Sequence, residues 1–429
     1  MRRVLLLLPT STYKTASFLS AAANLGLEIV VASEETSTLA AKNPEGLLTL
    51  DFNSPASAAC AVADFAGGRP LDAVIPVDEV TAVIAAHIAD RLGLPQNPIA
   101  GAEAARNKYL MRESLRRAGL PVPRYWHFTL DDDLHELANT LSYPCVVKPV
   151  SLSTSRGVIR ADDPAGFVAA VARINSILTL PHVKKRGGAA ARELLAEEFI
   201  PGVEIAIEAL LDDEHLEILT IFDKPDPLNG PFFEETIYVT PSRLPERVQD
   251  QASEATLSAA RAMGLVRGPI HAELRINDRG PWVVEVAARC IGGLCSRSLR
   301  FNRGLSLEEI VLMHAAGLDT SGIRRETLAA GVMMIPIPRA GTLRAVTGLD
   351  EARTLPGIED IVITAHITQE IAPPPEGSSY LGFIFSRAAT PGEVEMALRQ
   401  AHAQLSFEIE PAEAQSASGQ TTSLRSRTR

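Results

Sequence analysis

Two glutamates and an arginine in the span HAELRINDRGPWVVEVAAR, residues 271–289, could do metal and phosphate chemistry. Taken as a hairpin, with Asp278-Arg279-Gly280 as a three-residue loop whose last position favours a left-handed glycine, the span places Glu273 directly opposite Glu285. Opposed side chains on one face have Cβ atoms about 4.5–5.5 Å apart, and like charges there repel. A hard divalent cation between the two carboxylates removes that repulsion. It also leaves coordination positions for phosphate oxygens and water, the usual way Mg²⁺ is held. Arg289, on the same face, is a fixed positive charge for an oxyanion. His271, Arg275 and Ala287 share that face, while Ala272, Leu274, Ile276, Trp282, Val284 and Val286 face a core. These residues leave a second reading open, an antiparallel sheet with one merely solvated face. A two- or four-residue loop would put the glutamates on opposite faces.

A metal between the glutamates needs a phosphate nearby, and three upstream stretches offer one a seat. In PCVVKPVSLSTSRGV, Lys148 sits in a valine strand and is followed by a Ser/Thr/Gly loop whose backbone N–H groups and hydroxyls could wrap a phosphate. In EEFIPGVEIAIEAL, a strand stops at Pro201-Gly202 and resumes, with Glu197, Ile200 and Glu204 at offsets suited to a strand edge that meets a planar base and its ribose. Lys108 stands in ARNKYLMRESLRRAGLPVP, a helix ended by Gly119 and Pro121. Taken singly these are ordinary: Ser- and Gly-rich hairpin loops are common, and a lone helical lysine is normally solvated.

The elements that must position these residues follow from periodicity. Residues 3–8 read as a buried strand, 14–25 as a helix, EIVVAS as a second strand and LDAVIPVD as another before a helix over 79–92. Such alternation means a parallel sheet with helices on its faces. The first turn, PTSTYKTASF, lacks the glycine fingerprint of a dinucleotide site. A helix over 101–118 leads into shorter strands in hairpins, CVVKPV, GVIR, LLAEEFI, EIAIEALL, LEILTIF, ETIYV, IHAELRI and WVVEVAA. The expected boundaries are an N-terminal α/β domain over 1–104, an α+β domain over 105–325, a third domain over 326–410 and a Ser/Thr-rich disordered tail over 411–429.

In order, the chain carries the lysine before RRAGLPVP, VVKP, a small-residue loop, EEFIPGVE and two acidic strands ending in EVAAR. This order resembles the ATP-grasp superfamily. The resemblance implies an ATP-grasp fold, α/β and α+β multidomain, with a parallel-sheet domain before it and an α+β domain after it. It implies that Lys108 and Lys148 hold ATP phosphates under a loop with Ser153, Ser155 and Gly157. Glu197 would meet the adenine amino group, the backbone at Phe199 and Ile200 the ring, and Glu204 the ribose. Glu273 and Glu285 would bind Mg²⁺, or Mn²⁺ in its place. Many relatives have Asn two residues after the second glutamate, where this chain has Ala287, which puts a second fully ligated ion in doubt.

FDKPDPLNGPFFEETIYVTPSR, AARCIGGLCSRSLRF and the C-terminal GVMMIPIPRAGTLRAVTGLDEA are similar to the L-amino acid ligases, which join two amino acids through an acyl phosphate with release of ADP and phosphate. On that resemblance Arg289 and Lys224, the latter in a loop, are catalytic, and the loops at 151–157 and 225–231 close over the site. The partners are a small carboxylate and an amine, and a homodimer is expected. A bicarbonate-using carboxylase and a non-catalytic nucleotide binder are the alternatives.

Composition sets the outer limits. A formal net charge of −11 gives no basic footprint for nucleic acid. The 4 cysteines form no C-x-x-C and no zinc spacing, which suits free thiols in a reducing cytoplasm. The apolar run of MRRVLLLLP stops after Leu8, too short for a signal peptide core, and no stretch approaches the roughly 18–20 apolar residues of a membrane helix.

Overall fold

The computed structural model describes residues 1–10, 12–37, 42–181, 183–184, 188–213 and 215–411. Strands β1 (Arg3–Leu7), β2 (Glu28–Ser33), β3 (Leu47–Thr49) and β4 (Ala73–Pro76) form a parallel sheet in the order β3-β2-β1-β4. The leucines of β1 have no polar alternation because both faces are covered: Val4 and Leu6 pack into one core, Leu5 and Leu7 into another. Beyond the ends of β1 and β4, Lys14 is buried and its Nζ donates to the carbonyls of Val77 and Cys290, both at 3.3 Å. The first sheet is thereby tied to the segment that follows Glu285.

The helix expected over 101–118 is two helices, Ile99–Arg106 and Lys108–Arg117. Asn107 breaks the run with φ −111° and ψ 111°, and its side chain accepts from the backbone N–H of Tyr109 and Leu110. An Asn N-cap stabilises a new helix start, so Lys108 opens the second helix and is not a mid-helix surface residue.

Strands β5 (Tyr125–Thr129), β6 (Cys145–Pro149), β7 (Ile159–Ala161) and β8 (Glu193–Glu198) form an antiparallel sheet in the order β5-β8-β6-β7. The helix Pro164–Leu178, started by Asp163 as N-cap and proline at its first turn, covers it with Phe167, Val171 and Ile174.

After these come β9 (Val203–Asp212), β10 (His215–Lys224), β11 (Ile237–Thr240), β12 (Arg267–Asn277), β13 (Gly280–Ala287) and β14 (Ala329–Ile335). The remaining strands are β15 (Gly341–Thr347), β16 (Ile358–Ile363), β17 (Glu370–Ile371), β18 (Gly382–Ala388) and β19 (Ser406–Glu410). Eight of them make one antiparallel sheet in the order β13-β12-β9-β10-β11-β14-β18-β16, and β17-β15-β19 make a small one. The large sheet runs unbroken across the boundary expected at 325/326, because β14 pairs with β11. The tail expected over 411–429 lies outside the described residues from 412 onward.

In the β12–β13 hairpin Glu273 pairs with Glu285, but not by the expected route. The ladder pairs Asn277 with Gly280, leaving Asp278-Arg279 at the turn. It then slips by one residue between Glu273 and Leu274, so that Val284 is the extra residue of a β-bulge. The bulge corrects the face assignment: Val283, not Val284, packs into the core, while Val284 and Glu285 both face the pocket described next.

Candidate active site

The antiparallel sheet of β5–β8 and the eight-stranded sheet grip a pocket between them. Its lining brings together Lys108, Lys148, Ser153, Ser155, Glu197, Phe199, Ile200, Glu204, Glu273 and Glu285, residues spread over more than 170 positions of sequence. Gly157, Lys224 and Arg289 lie outside that lining. Gly157 has φ +70° and packs against Pro149, where a Cβ would sit 3.1 Å from the proline ring. Its N–H donates to the carbonyl of Pro375 at 3.0 Å. Just beyond that loop, Arg160 of β7 donates to the carbonyls of Asn229 and Pro231 in the loop at 225–231.

Each lysine meets a carboxylate. Lys108 Nζ lies 3.2 Å from Glu285 Oε1 and donates to the carbonyl of Leu152 at 2.8 Å. Lys148 Nζ lies 2.6 Å from Glu197 Oε2. Lys224 is the last residue of β10 and is buried, not a loop lysine. It contacts Glu204 at 2.9 Å, Glu273 at 3.4 Å, and Glu235. Burial pushes the Lys224 ammonium down, but these three carboxylates more than offset it and hold it well above the usual lysine range. Burial, together with Glu273, pushes Glu235 up to about 7 against the pull of Lys224. Tyr238 donates to its other oxygen at 2.7 Å.

Glu197 is engaged differently from expectation. Its carboxylate accepts from Arg112 Nε at 2.6 Å and pairs with Lys148, which leaves it turned to these two cations. Burial raises its carboxyl, but the two cations overcome that and hold it at about 2. Glu204 is shared between Lys224 and Arg275 Nε at 2.8 Å, and Arg275 also donates to the carbonyls of Ile200 and Leu228. Arg289 lies 3.5 Å from the buried Glu79 and donates to the Cys290 carbonyl at 3.1 Å. His271 bonds Glu208 through Nδ1 and Glu273 through Nε2 at 3.3 Å, and Glu208 also accepts from the N–H of Ile291. Between them, Glu208 and Lys14 fix the segment after Arg289.

Arg112, Glu235, Arg275 and Glu79 are members of this constellation that the motifs did not single out. Arg275 and Glu235 lay inside stretches already marked, but Arg112, in the helical run LMRESLRR, reads as a surface charge. Among the described residues, Glu204, Glu235 and Glu273 form the one group of three whose ligand atoms lie within 4.8 Å of each other. Glu273 and Glu285 are hard oxygen donors opposed on one face, a donor set that fits Mg²⁺. Ala287 offers no donor.

Residues 141–298 match the ATP-grasp domain, residues 19–96 the ATP-grasp N-terminal domain, and residues 333–410 the L-amino acid ligase C-terminal domain 2. The fold is similar to the crystal structure of an L-amino acid ligase from Bacillus licheniformis, with a TM-score of 0.80 and 28% identity over 96% of this chain and 99% of that one. In sequence the chain is 28% identical over 254 residues to an alanine–anticapsin ligase of Bacillus subtilis, covering 56% of this chain and 53% of that protein. It is 32% identical over 187 residues to a D-alanine–D-alanine ligase of Aromatoleum aromaticum, covering 42% and 55%. The chain spans little more than half the length of these two relatives. It has the fold of the ATP-grasp superfamily, with the expected parallel-sheet domain before the grasp and the α+β domain after it. Within that superfamily it is similar to the L-amino acid ligases. Among the described residues no helix is long and apolar enough to cross a membrane.

Proposed function

We propose that the protein is an ATP-dependent carboxylate–amine ligase that joins two L-amino acids through an acyl phosphate, releasing ADP and phosphate. The observation that carries this is the convergence of Lys108 and Lys148 with Glu273 and Glu285 around one pocket between two sheets, with Lys224 behind the lining and paired to Glu204 and Glu273. Phosphoryl transfer asks a protein mainly for positioning and charge neutralisation, and no cysteine or histidine is among the residues lining the pocket.

In this reading, Lys108 and Lys148 hold the phosphates beneath the loop with Ser153, Ser155 and Gly157. Glu197, set by its two cations, and the backbone at Phe199 and Ile200 border the base, and Glu204 borders the ribose. Glu273 and Glu285 hold Mg²⁺ or Mn²⁺, which when bound neutralises phosphate oxygens. A substrate carboxylate oxygen attacks the γ-phosphorus while the bond to the β-phosphate oxygen breaks and ADP leaves. Lys224 and Arg289 balance the charge that gathers at that end. The amine then attacks the acyl carbon, phosphate leaves with the C–O bond electrons, and the nitrogen loses a proton. Closure by the loops at 151–157 and 225–231 keeps water from the acyl phosphate. A homodimer in the cytoplasm completes the reading, and light scattering tests the dimer.

Incubation of the purified chain with Mg·ATP and mixed amino acids should give ADP and inorganic phosphate in equal amounts together with a new amide, read by chromatography and mass spectrometry. AMP as the main product excludes the mechanism. ADP release that requires bicarbonate points to a carboxylase, and ATP binding without turnover points to a binder.

A further inference from the structure

We infer that Arg112 is the positioning residue that locks the two sheets of the grasp together and sets the carbonyl geometry behind Glu285. This rests on the ligase reading above. Arg112 is fully buried on the helix Lys108–Arg117. Its guanidinium reaches two separate elements. Toward β8 it donates to both oxygens of Glu197, from Nε at 2.6 Å and from Nη2 at 3.3 Å. Toward β13 it donates to the carbonyl of Val283 at 3.1 Å and to that of Val284 at 3.0 Å.

The second pair is the informative one. Consecutive carbonyls of a regular strand point to opposite edges, so one planar group reaches both where the strand is locally bent. The bend is the bulge at Val284, immediately before Glu285. β13 is also the edge strand of the eight-stranded sheet, so its outward carbonyls have no ladder partner. A buried carbonyl without a donor is costly, and Arg112 supplies donors for two. The same cation holds Glu197 ionised beside Lys148. One side chain thereby couples the strand at the base end of the pocket to the strand that carries a metal ligand. Lysine, with a single ammonium, cannot span Glu197 and both carbonyls together.

The test uses the full chain as Arg112→Lys, with Arg112→Gln as a second variant. Mn²⁺ is titrated by electron paramagnetic resonance in the presence of a non-hydrolysable ATP analogue, and kcat and KM for ATP are measured alongside a thermal melt. For a group that orients a metal ligand, Mn²⁺ affinity and kcat should each fall by about 10- to 100-fold, with KM for ATP rising as well because Glu197 loses one of its two cations. Unchanged Mn²⁺ affinity in a folded variant, or failure of both variants to fold, overturns the inference by making Arg112 a core filler. Should the wild-type chain bind Mn²⁺ and the analogue yet join no amino acids, the ligase reading fails while the Mn²⁺ titration still decides the role of Arg112.

Discussion

Glu273 and Glu285 pair directly across the β12–β13 hairpin, and each is met by a different buried lysine, Lys224 at 3.4 Å and Lys108 at 3.2 Å. Two carboxylates and two ammoniums in alternation are nearly neutral as a set. Addition of a nucleotide with its phosphates then calls for a further cation.

Glu285→Gln removes a charge with little change in volume. Turnover should fall by about a hundredfold or more, as expected where a metal supplies several kcal/mol of charge stabilisation, while the variant stays folded with a lower melting temperature because the buried Lys108 loses its charged partner. Near wild-type activity of the folded variant at saturating Mg²⁺ would falsify the metal reading.

Lys224→Met leaves Glu204, Glu235 and Glu273 around an apolar side chain. Breaking a buried ion pair from one side typically costs about 3–5 kcal/mol, so the metal-free variant should melt well below wild type. A divalent cation can replace the lost charge, and Mg²⁺ should therefore raise the melting temperature of the variant more than that of wild type. Equal Mg²⁺ responses in the two proteins would show that these carboxylates do not compensate one another in this way.

How far the sequence could be read follows from which interactions are local. Strand positions were legible because alternation of apolar and polar residues reports the face of each strand, whereas the Glu273–Glu285 pairing came out as expected only because the bulge at Val284 offsets a turn one residue shorter than read. The loop length was misjudged because a bulge depends on a tertiary partner: Arg112 meets Val283 and Val284 from a helix some 170 positions earlier. Asn107 was missed as a helix start since it lies between two helical runs with no proline or glycine to mark the break. Lys224 was placed in a loop and Arg112 passed without notice, because the carboxylates that make their burial tolerable come from other strands. The continuity of the large sheet through β11 and β14 is likewise a pairing between segments distant in sequence.

Glu197 makes stability depend on pH in a defined window. A carboxyl whose folded-state value lies below its ordinary 4.5 contributes stability that is fully present above that value and is lost as pH falls through about 2. That displacement corresponds to about 3 kcal/mol at roughly 1.4 kcal/mol per pH unit. Urea denaturation should show wild type losing stability from pH 4.5 downward. Glu197→Gln should be less stable by about that amount at pH 7 and flatter over the acid range. Parallel curves for the two proteins would remove Glu197 from the acid response.

Arg289 is held at the end of the glutamate strand by the buried Glu79 at 3.5 Å and by the Cys290 carbonyl at 3.1 Å, with Glu208 and Lys14 fixing the backbone beyond it. Burial disfavours its charge, yet Glu79 and Glu285 hold it above the usual arginine range, so it is a permanent cation beside the metal-binding face. Lysine in its place keeps the charge but loses the planar pair of donors. If Arg289 balances charge on the developing acyl phosphate, Arg289→Lys should lower kcat by about a hundredfold, the scale seen when one oxyanion donor is removed. ATP affinity by calorimetry should change by less than about 3-fold, since the interaction forms only as charge develops. A parallel fall in affinity and kcat would mean instead that Arg289 binds the nucleotide in its ground state, and the stabilising role would pass to Lys224.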